Sequence, residues 1–214
     1  KDQTYALYGL TQYQLAHTLM PVGDYEKEEI REIALRKGLP VAHKPDSQEI
    51  CFVPDNDYAA FIDRQAGERV PGPGNFITSS GEILAEHKGI THYTIGQRKG
   101  LHLAMGHPVF VTQILPETNE VVIGESGDVF SMELFCNRIN YMGMEDLQSP
   151  RKVTAKIRYG HKGAACTIEK TGEDEIKCIF EEPVRAVTPG QAAVFYEEGC
   201  VLGGGTIKRR ESVS

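Results

Sequence analysis

Apolar and polar positions alternate in two different rhythms along this chain. Between Asp24 and Gly38, Ile30, Ile33, Ala34 and Lys37 fall three and four apart, which predicts a helix over 24–38 with a narrow buried stripe. Asp24 is the expected N-cap. Glu26, Glu28 and Glu29 suit the positive end of the helix dipole, and Arg36 and Lys37 suit the negative end. Glu32 and Arg36 form an i, i+4 pair in the favourable order, and Gly38 followed by Pro40 ends the element. A shorter mixed run over 11–20 stops at Pro21 and predicts a short helix. Ala59, Phe61 and Ile62 predict another from about Asp55 to Ala66, before Pro71-Gly72-Pro73-Gly74 breaks the chain. Asn75 to Leu84 reads as a hairpin turning at Ser79, Ser80 and Gly81.

After Gly106-His107-Pro108 the rhythm shortens. Val109-Phe110-Val111 and Val121-Val122-Ile123 flank Pro-Glu-Thr-Asn-Glu, a hairpin signal. Strands are expected near 133–141, 151–159, 164–170, 175–181, 184–187, 192–196 and 205–208. Many short strands with frequent turn signals predict a small sandwich or barrel. The expected fold class is therefore a mixed α/β part followed by a mostly-β part, with the boundary near residue 107.

Composition changes this picture little. Gly 22 and Pro 11 with no Trp favour turns and short strands, and no apolar run approaches the roughly 18 residues that span a bilayer. The start on Lys1-Asp2-Gln3-Thr4-Tyr5, without Met, suggests a piece of a longer protein. Five cysteines, with neither a C-x-x-C pair nor a zinc pattern, point to a reduced cytoplasmic protein and to no metal. A net charge of −7 speaks against general nucleic-acid binding. Yet between Arg151 and Gly163 stand five Lys or Arg, one His and no acid. A local strip of that kind suits one structured RNA partner.

Several segments could carry chemistry. Cys51 lies in Pro-Asp-Ser-Gln-Glu-Ile-Cys-Phe-Val-Pro. A reactive thiol needs a depressed pKa; His43 and Lys44 would help, whereas Asp46 and Glu49 would oppose. By its neighbours alone, Cys51 reads first as a small buried hydrophobe. Cys136, Cys166, Cys178 and Cys200 all read as packing residues. Thr94-Ile95-Gly96-Gln97-Arg98-Lys99-Gly100 is either a phosphate-approaching loop or a tight turn with solvated charges. Lys156-Ile157-Arg158-Tyr159 is either an RNA-facing strand, with Lys156, Arg158 and Gly160 on one face, or a guarded edge. Leu202-Gly203-Gly204-Gly205-Thr206 reads as a turn and lacks the Lys-Ser/Thr of a nucleotide-binding loop.

Taken in order, these segments resemble the MnmA/TrmU-type tRNA 2-thiouridylases. The likeness rests on Lys1-Asp2-Gln3-Thr4-Tyr5, Asp46-Ser47-Gln48-Glu49-Ile50-Cys51-Phe52, Thr94 to Leu101, Lys156 to Tyr159, Thr188 to Tyr196, and Leu202 to Gly205. The resemblance implies an ATP-dependent transferase that adenylates the wobble-uridine oxygen and replaces it with sulfur. It implies that Cys51 carries that sulfur as a persulfide received from a sulfur-relay donor protein. Lys1, Asp2, Gln3, Arg158, Tyr159 and Gln191 are implied to touch tRNA. The ATP loop and a second, partner cysteine precede Lys1 in the family pattern, so this chain alone is expected to be inactive. The implied modules are the end of a nucleotide-binding domain over 1–45, a central domain over 46–107 and a tRNA-binding β-barrel over 108–214. The competing readings are a non-catalytic RNA-binding or adaptor barrel, and a translation-factor-like barrel that binds protein.

Overall fold

The computed structural model describes residues 2–44, 53 and 57–209. Cys51, Lys1 and the expected start of the second long helix lie outside the described residues. The chain opens with α1 (Thr4–Leu7), α2 (Gln12–Ala16) and α3 (Lys27–Arg36). Thr11 and Gln14 form a capping box at α2. The helix expected from Asp24 begins three residues later, with Glu26 at the N-cap, because the Glu29 carboxylate accepts the Glu26 amide at 2.6 Å. α4 (Tyr58–Ala66) is capped by Asp57, which accepts the Ala60 amide at 2.9 Å.

The strands form two separate bodies. In the first, β1 (Gly74–Ile77), β2 (Ile83–His87), β3 (Phe110–Leu115) and β4 (Glu120–Gly124) make a sheet in the order β2-β1-β4-β3. Its core is Phe76, Leu101, Val109, Val111, Val121 and Ile123. The change of rhythm at residue 107 thus falls inside this sheet, because β4 pairs in parallel with β1. Periodicity recognises strands but not their partners.

The second body starts at Phe130. β5 (Phe130–Tyr141), β6 (Arg151–Lys156), β7 (Ala164–Gly172), β8 (Glu175–Arg185), β9 (Ala192–Glu197) and β10 (Cys200–Ile207) close into a barrel in the order β10-β5-β8-β7-β6-β9. Alternate residues fill it: Leu134 and Cys136, Val153 and Ala155, Cys166 and Ile168, Ile176, Cys178 and Phe180. The two strands expected at 175–181 and 184–187 are one, β8, which runs through Pro183.

Gly203, Gly204 and Gly205 sit within β10 rather than in a turn. Backbone and rings come too close for side chains there. A Cβ on Gly205 would stand 2.7 Å from the Asn137 carbonyl oxygen, and one on Gly203 2.5 Å from that of Asn140. Among the described residues, no helix is long and apolar enough to cross a membrane.

Candidate nucleic-acid interface

The N-terminal segment lies against the outside of the barrel. Along β9, Ala193 and Phe195 face the interior, yet Val194 and Tyr196 are buried too. Outward residues of a strand are buried only if something covers them. Tyr5 donates its hydroxyl to the Ala192 carbonyl at 2.9 Å, and the Thr4 and Tyr196 hydroxyls lie 3.2 Å apart. Asn140 donates to the carbonyls of Tyr8 and Leu10, and Gln12 donates to that of Met142. Among these, the bond to Tyr8 satisfies a carbonyl at the C-terminal end of α1 that so short a helix leaves without an internal partner.

This docking gathers most of the positions to which the resemblance assigned RNA contacts. Asp2 accepts Lys156 Nζ at 3.1 Å and also the Thr4 amide and hydroxyl. Those three bonds, the Thr4 pair foremost, lower its carboxyl to about 2. Tyr5 meets Tyr159 edge-on, with ring centroids 6.2 Å apart, and Tyr159 is 49% exposed. Burial raises the Tyr5 hydroxyl to about 12, so it donates at any physiological pH. Gln191 is exposed in the β8–β9 connection, beside the Ala192 that Tyr5 holds, and Gln3 is exposed just before α1. Lys1 is outside the described residues.

One expectation about this surface fails. β6 ends at Lys156, so Lys156, Arg158 and Gly160 do not share a strand face. Arg158, Tyr159 and Gly160 stand instead in the exposed loop that follows. Gly163, at φ 99°, lets the chain turn at the end of this loop. His161 is held below the usual histidine range by burial and by the Arg158 charge.

The Thr94–Leu101 segment is a tight turn that touches the barrel. The Gln97 side chain accepts the Thr94 amide and donates to the Lys99 carbonyl. Gly96 and Gln97 bond to Val111 of β3. Arg98 and Lys99 remain exposed. Residues that sequence reasoning missed complete the arrangement. Tyr5 and Asn140 secure the N-terminal segment, and Arg185 ties the turn to the barrel by donating to the Gly96 carbonyl at 3.1 Å. Nothing in local sequence marks Arg185, whose role depends on two loops meeting.

The cysteines divide by burial. Cys136, Cys166 and Cys178 are inside the barrel, and burial raises Cys136 to about 12. Cys178 is raised by its bond with Cys166 and by burial. Cys200, expected to pack, is exposed at the start of β10.

Neither the three-glycine stretch nor the starts of the two longer helices fits the phosphates of ATP. The three-glycine stretch is closed by neighbouring backbone. The two longer helices begin with Glu26, Glu28 and Glu29, or with Asp57, which repel phosphate where a helix could otherwise bind it.

Three family models match consecutive parts of the chain: a tRNA methyl transferase HUP domain over residues 1–55, a tRNA methyl transferase PRC-barrel domain over 59–125, and an aminomethyltransferase beta-barrel domain over 131–207. That order defines the class, a HUP-type portion followed by a PRC-barrel domain and a β-barrel. Relatives named tRNA-specific 2-thiouridylase MnmA include one from Lachnoclostridium phytofermentans, 60% identical over 97% of this chain and 58% of the relative. Others come from Clostridioides difficile, 51% identical over 98% of this chain and 58% of the relative, and from Carboxydothermus hydrogenoformans, 50% identical over 98% and 57%. The chain belongs to the MnmA-type tRNA 2-thiouridylase family. It spans a little over half the length of these curated relatives.

Proposed function

We propose that this chain is the sulfur-carrying and tRNA-gripping part of an ATP-dependent enzyme that thiolates the wobble uridine of tRNA. The observation that carries the reading is the convergence of distant motif residues on one face. Asp2 meets Lys156 at 3.1 Å, and Tyr5 meets both Tyr159 and the carbonyl next to Gln191. An exposed Tyr159 offers a ring on which an unpaired base can stack, and Arg158 offers a planar fork for phosphate. Asp2 fixes the segment: its carboxylate is taken up by Thr4 and Lys156, so we assign it a positioning role rather than a direct RNA contact. Gln3 and Gln191, both exposed, border the same face, and Lys1 is assigned its RNA contact by the resemblance alone.

Cys51 is assigned the persulfide. A persulfide presents a soft nucleophilic sulfur at the end of the thiol. The three barrel thiols are poor substitutes because all are enclosed within the barrel; burial also holds Cys136 protonated, and the Cys166 contact together with burial does the same for Cys178. ATP binding, the partner cysteine and contact with a sulfur-relay donor are assigned to the whole protein. Residues 1–45 would close its nucleotide-binding domain.

The test uses the full-length protein with tRNA, ATP and a sulfur donor. Cys51→Ser should abolish thiouridine while leaving tRNA affinity intact. Arg158→Glu should weaken tRNA binding by about tenfold and make its salt dependence shallower. Thiouridine formation by Cys51→Ser would leave only the non-catalytic RNA-binding or adaptor reading.

A further inference from the structure

We propose that Arg185 joins the Arg98–Lys99 turn of the central sheet and the Arg158–Tyr159 loop of the barrel into one surface that binds the phosphate backbone of an RNA across the seam between the two bodies. This rests on the tRNA-binding reading above and adds to it Arg98, Lys99 and Arg185.

Arg185 sits at the end of β8, where both loops meet. Its Nη2 donates to the Gly96 carbonyl at 3.1 Å, and its own carbonyl accepts Arg158 Nη1 at 3.0 Å. Its guanidinium lies over the Phe110 ring, 5.4 Å from the centroid. Approach at the seam is very close: a Cβ on Gly96, at φ 84°, would stand 2.9 Å from the Ala186 Cβ. Arg185 therefore holds the two loops together and does not merely neighbour them. Each guanidinium spends only part of its five donors on these carbonyls, leaving N–H groups for an outside acceptor.

Most cations of the barrel strands are paired, Arg138 and Lys152 being the exposed exceptions among the described residues. Arg151, Lys156, Lys170, Lys177, Lys208 and Arg209 each form an ion pair with a carboxylate. Arg98, Lys99, Arg158, Lys162 and Arg185 are exposed and form none among the described residues. On a chain of net charge −7, Arg98, Lys99, Arg158 and Arg185 gather unpaired positive charge on segments that Arg185 joins, and Lys162 follows in the Arg158 loop. Glu182, three residues or roughly 10 Å along β8, bounds the surface on that side. A flexible acidic peptide would be attracted by the same charges. The exposed Tyr159 beside them favours a polymer with both phosphates and bases.

The experiment measures tRNA binding by the full-length protein across a series of KCl concentrations. Four variants are compared: Arg98→Ala with Lys99→Ala, Arg185→Met, Arg185→Lys and Arg158→Ala. The double variant should reduce the slope of log affinity against log salt by roughly 1.4–1.8, and Arg185→Met by roughly 0.7–0.9. Arg185→Lys should keep the slope but lose affinity, because an ammonium lacks the planar fork that can serve the Gly96 carbonyl and a phosphate at once. Thermal midpoints establish that each variant is folded. If Arg185→Met does not fold, the double variant, confined to an exposed turn, decides the matter. An unchanged slope in the double variant, with Arg158→Ala lowering it, overturns the seam surface and spares the tRNA reading. Unchanged slopes in all four overturn both. Displacement of tRNA by poly-glutamate of equal charge, at equal concentration, also overturns the proposal and assigns the surface to an acidic protein.

Discussion

The Tyr8 ring occupies the space that a side chain on Gly204 would need: a Cβ there would stand 2.7 Å from Tyr8 Cδ2 and 2.6 Å from the Ala193 carbonyl oxygen. The N-terminal segment can lie on β9 and β10 because β10 is bare at this point. Gly204→Ala is therefore expected to destabilise the protein by about 1–3 kcal/mol through overpacking against backbone. Gly9→Ala, which meets nothing within 4 Å, should change stability by no more than about 0.5 kcal/mol. Urea unfolding of both variants checks the contrast.

Thiol reactivity should follow burial. Among the thiols of residues 1–214, with Cys51→Ser, Cys200 alone should react promptly with a disulfide reagent under native conditions. Cys136, Cys166 and Cys178 should react only on unfolding, since all three are 1% exposed or less. Adding Cys200→Ser should remove the fast phase. A fast phase that persists would contradict the barrel packing.

Two histidines set the stability near neutral pH. His87 is 2% exposed; its Nδ1 accepts the Gly89 amide at 3.0 Å, and its Nε2 faces the Asn119 carbonyl at 3.1 Å. Burial lowers the pKa of both His87 and His161. The unfolded chain keeps a value near 6.5, so it takes up protons first as pH falls. Stability should be level above about pH 7.5 and decline as pH falls below about 6.5. Asp2, held at about 2, belongs to a separate window: its contribution is present above its unfolded value and lost only in strong acid. His87→Gln should cost about 1–3 kcal/mol at pH 7.5 yet flatten the decline between pH 7 and 5. Denaturation at a series of pH values reads both effects.

α4 begins just after the Cys51 segment and depends on its cap. Asp57→Ala should weaken the helix by about 1 kcal/mol, and Asp57→Asn should largely restore it. Faster amide exchange across Tyr58–Ala66 in the alanine variant, with the barrel amides unchanged, is the expected signature.

Much of this was legible residue by residue. Alternation at Cys166 and Ile168, or at Ile176, Cys178 and Phe180, shows which strand face is buried, because side chains of a strand point to opposite sides in turn. Turn chemistry located the hairpin that bends at Gly81, at φ 86°. Cap choice was not legible: Asp24 is the expected N-cap, whereas the reciprocal bonds of Glu26 and Glu29 place the cap at Glu26.

The sequence by itself determined the kinds of element, the alternating core of the barrel and, through its ordered motifs, the family. Only the tertiary structure decided that β3 and β4 join the first sheet, that the three glycines lie in a strand beneath Tyr8, and that Asp2 is bound to Lys156. It also decided that Arg185 spans two loops. The physical reason is range. Periodicity and capping act over three or four residues, whereas strand pairing and close backbone approach join positions as far apart as Tyr8 and Gly204. Their geometry exists only once the chain has closed upon itself.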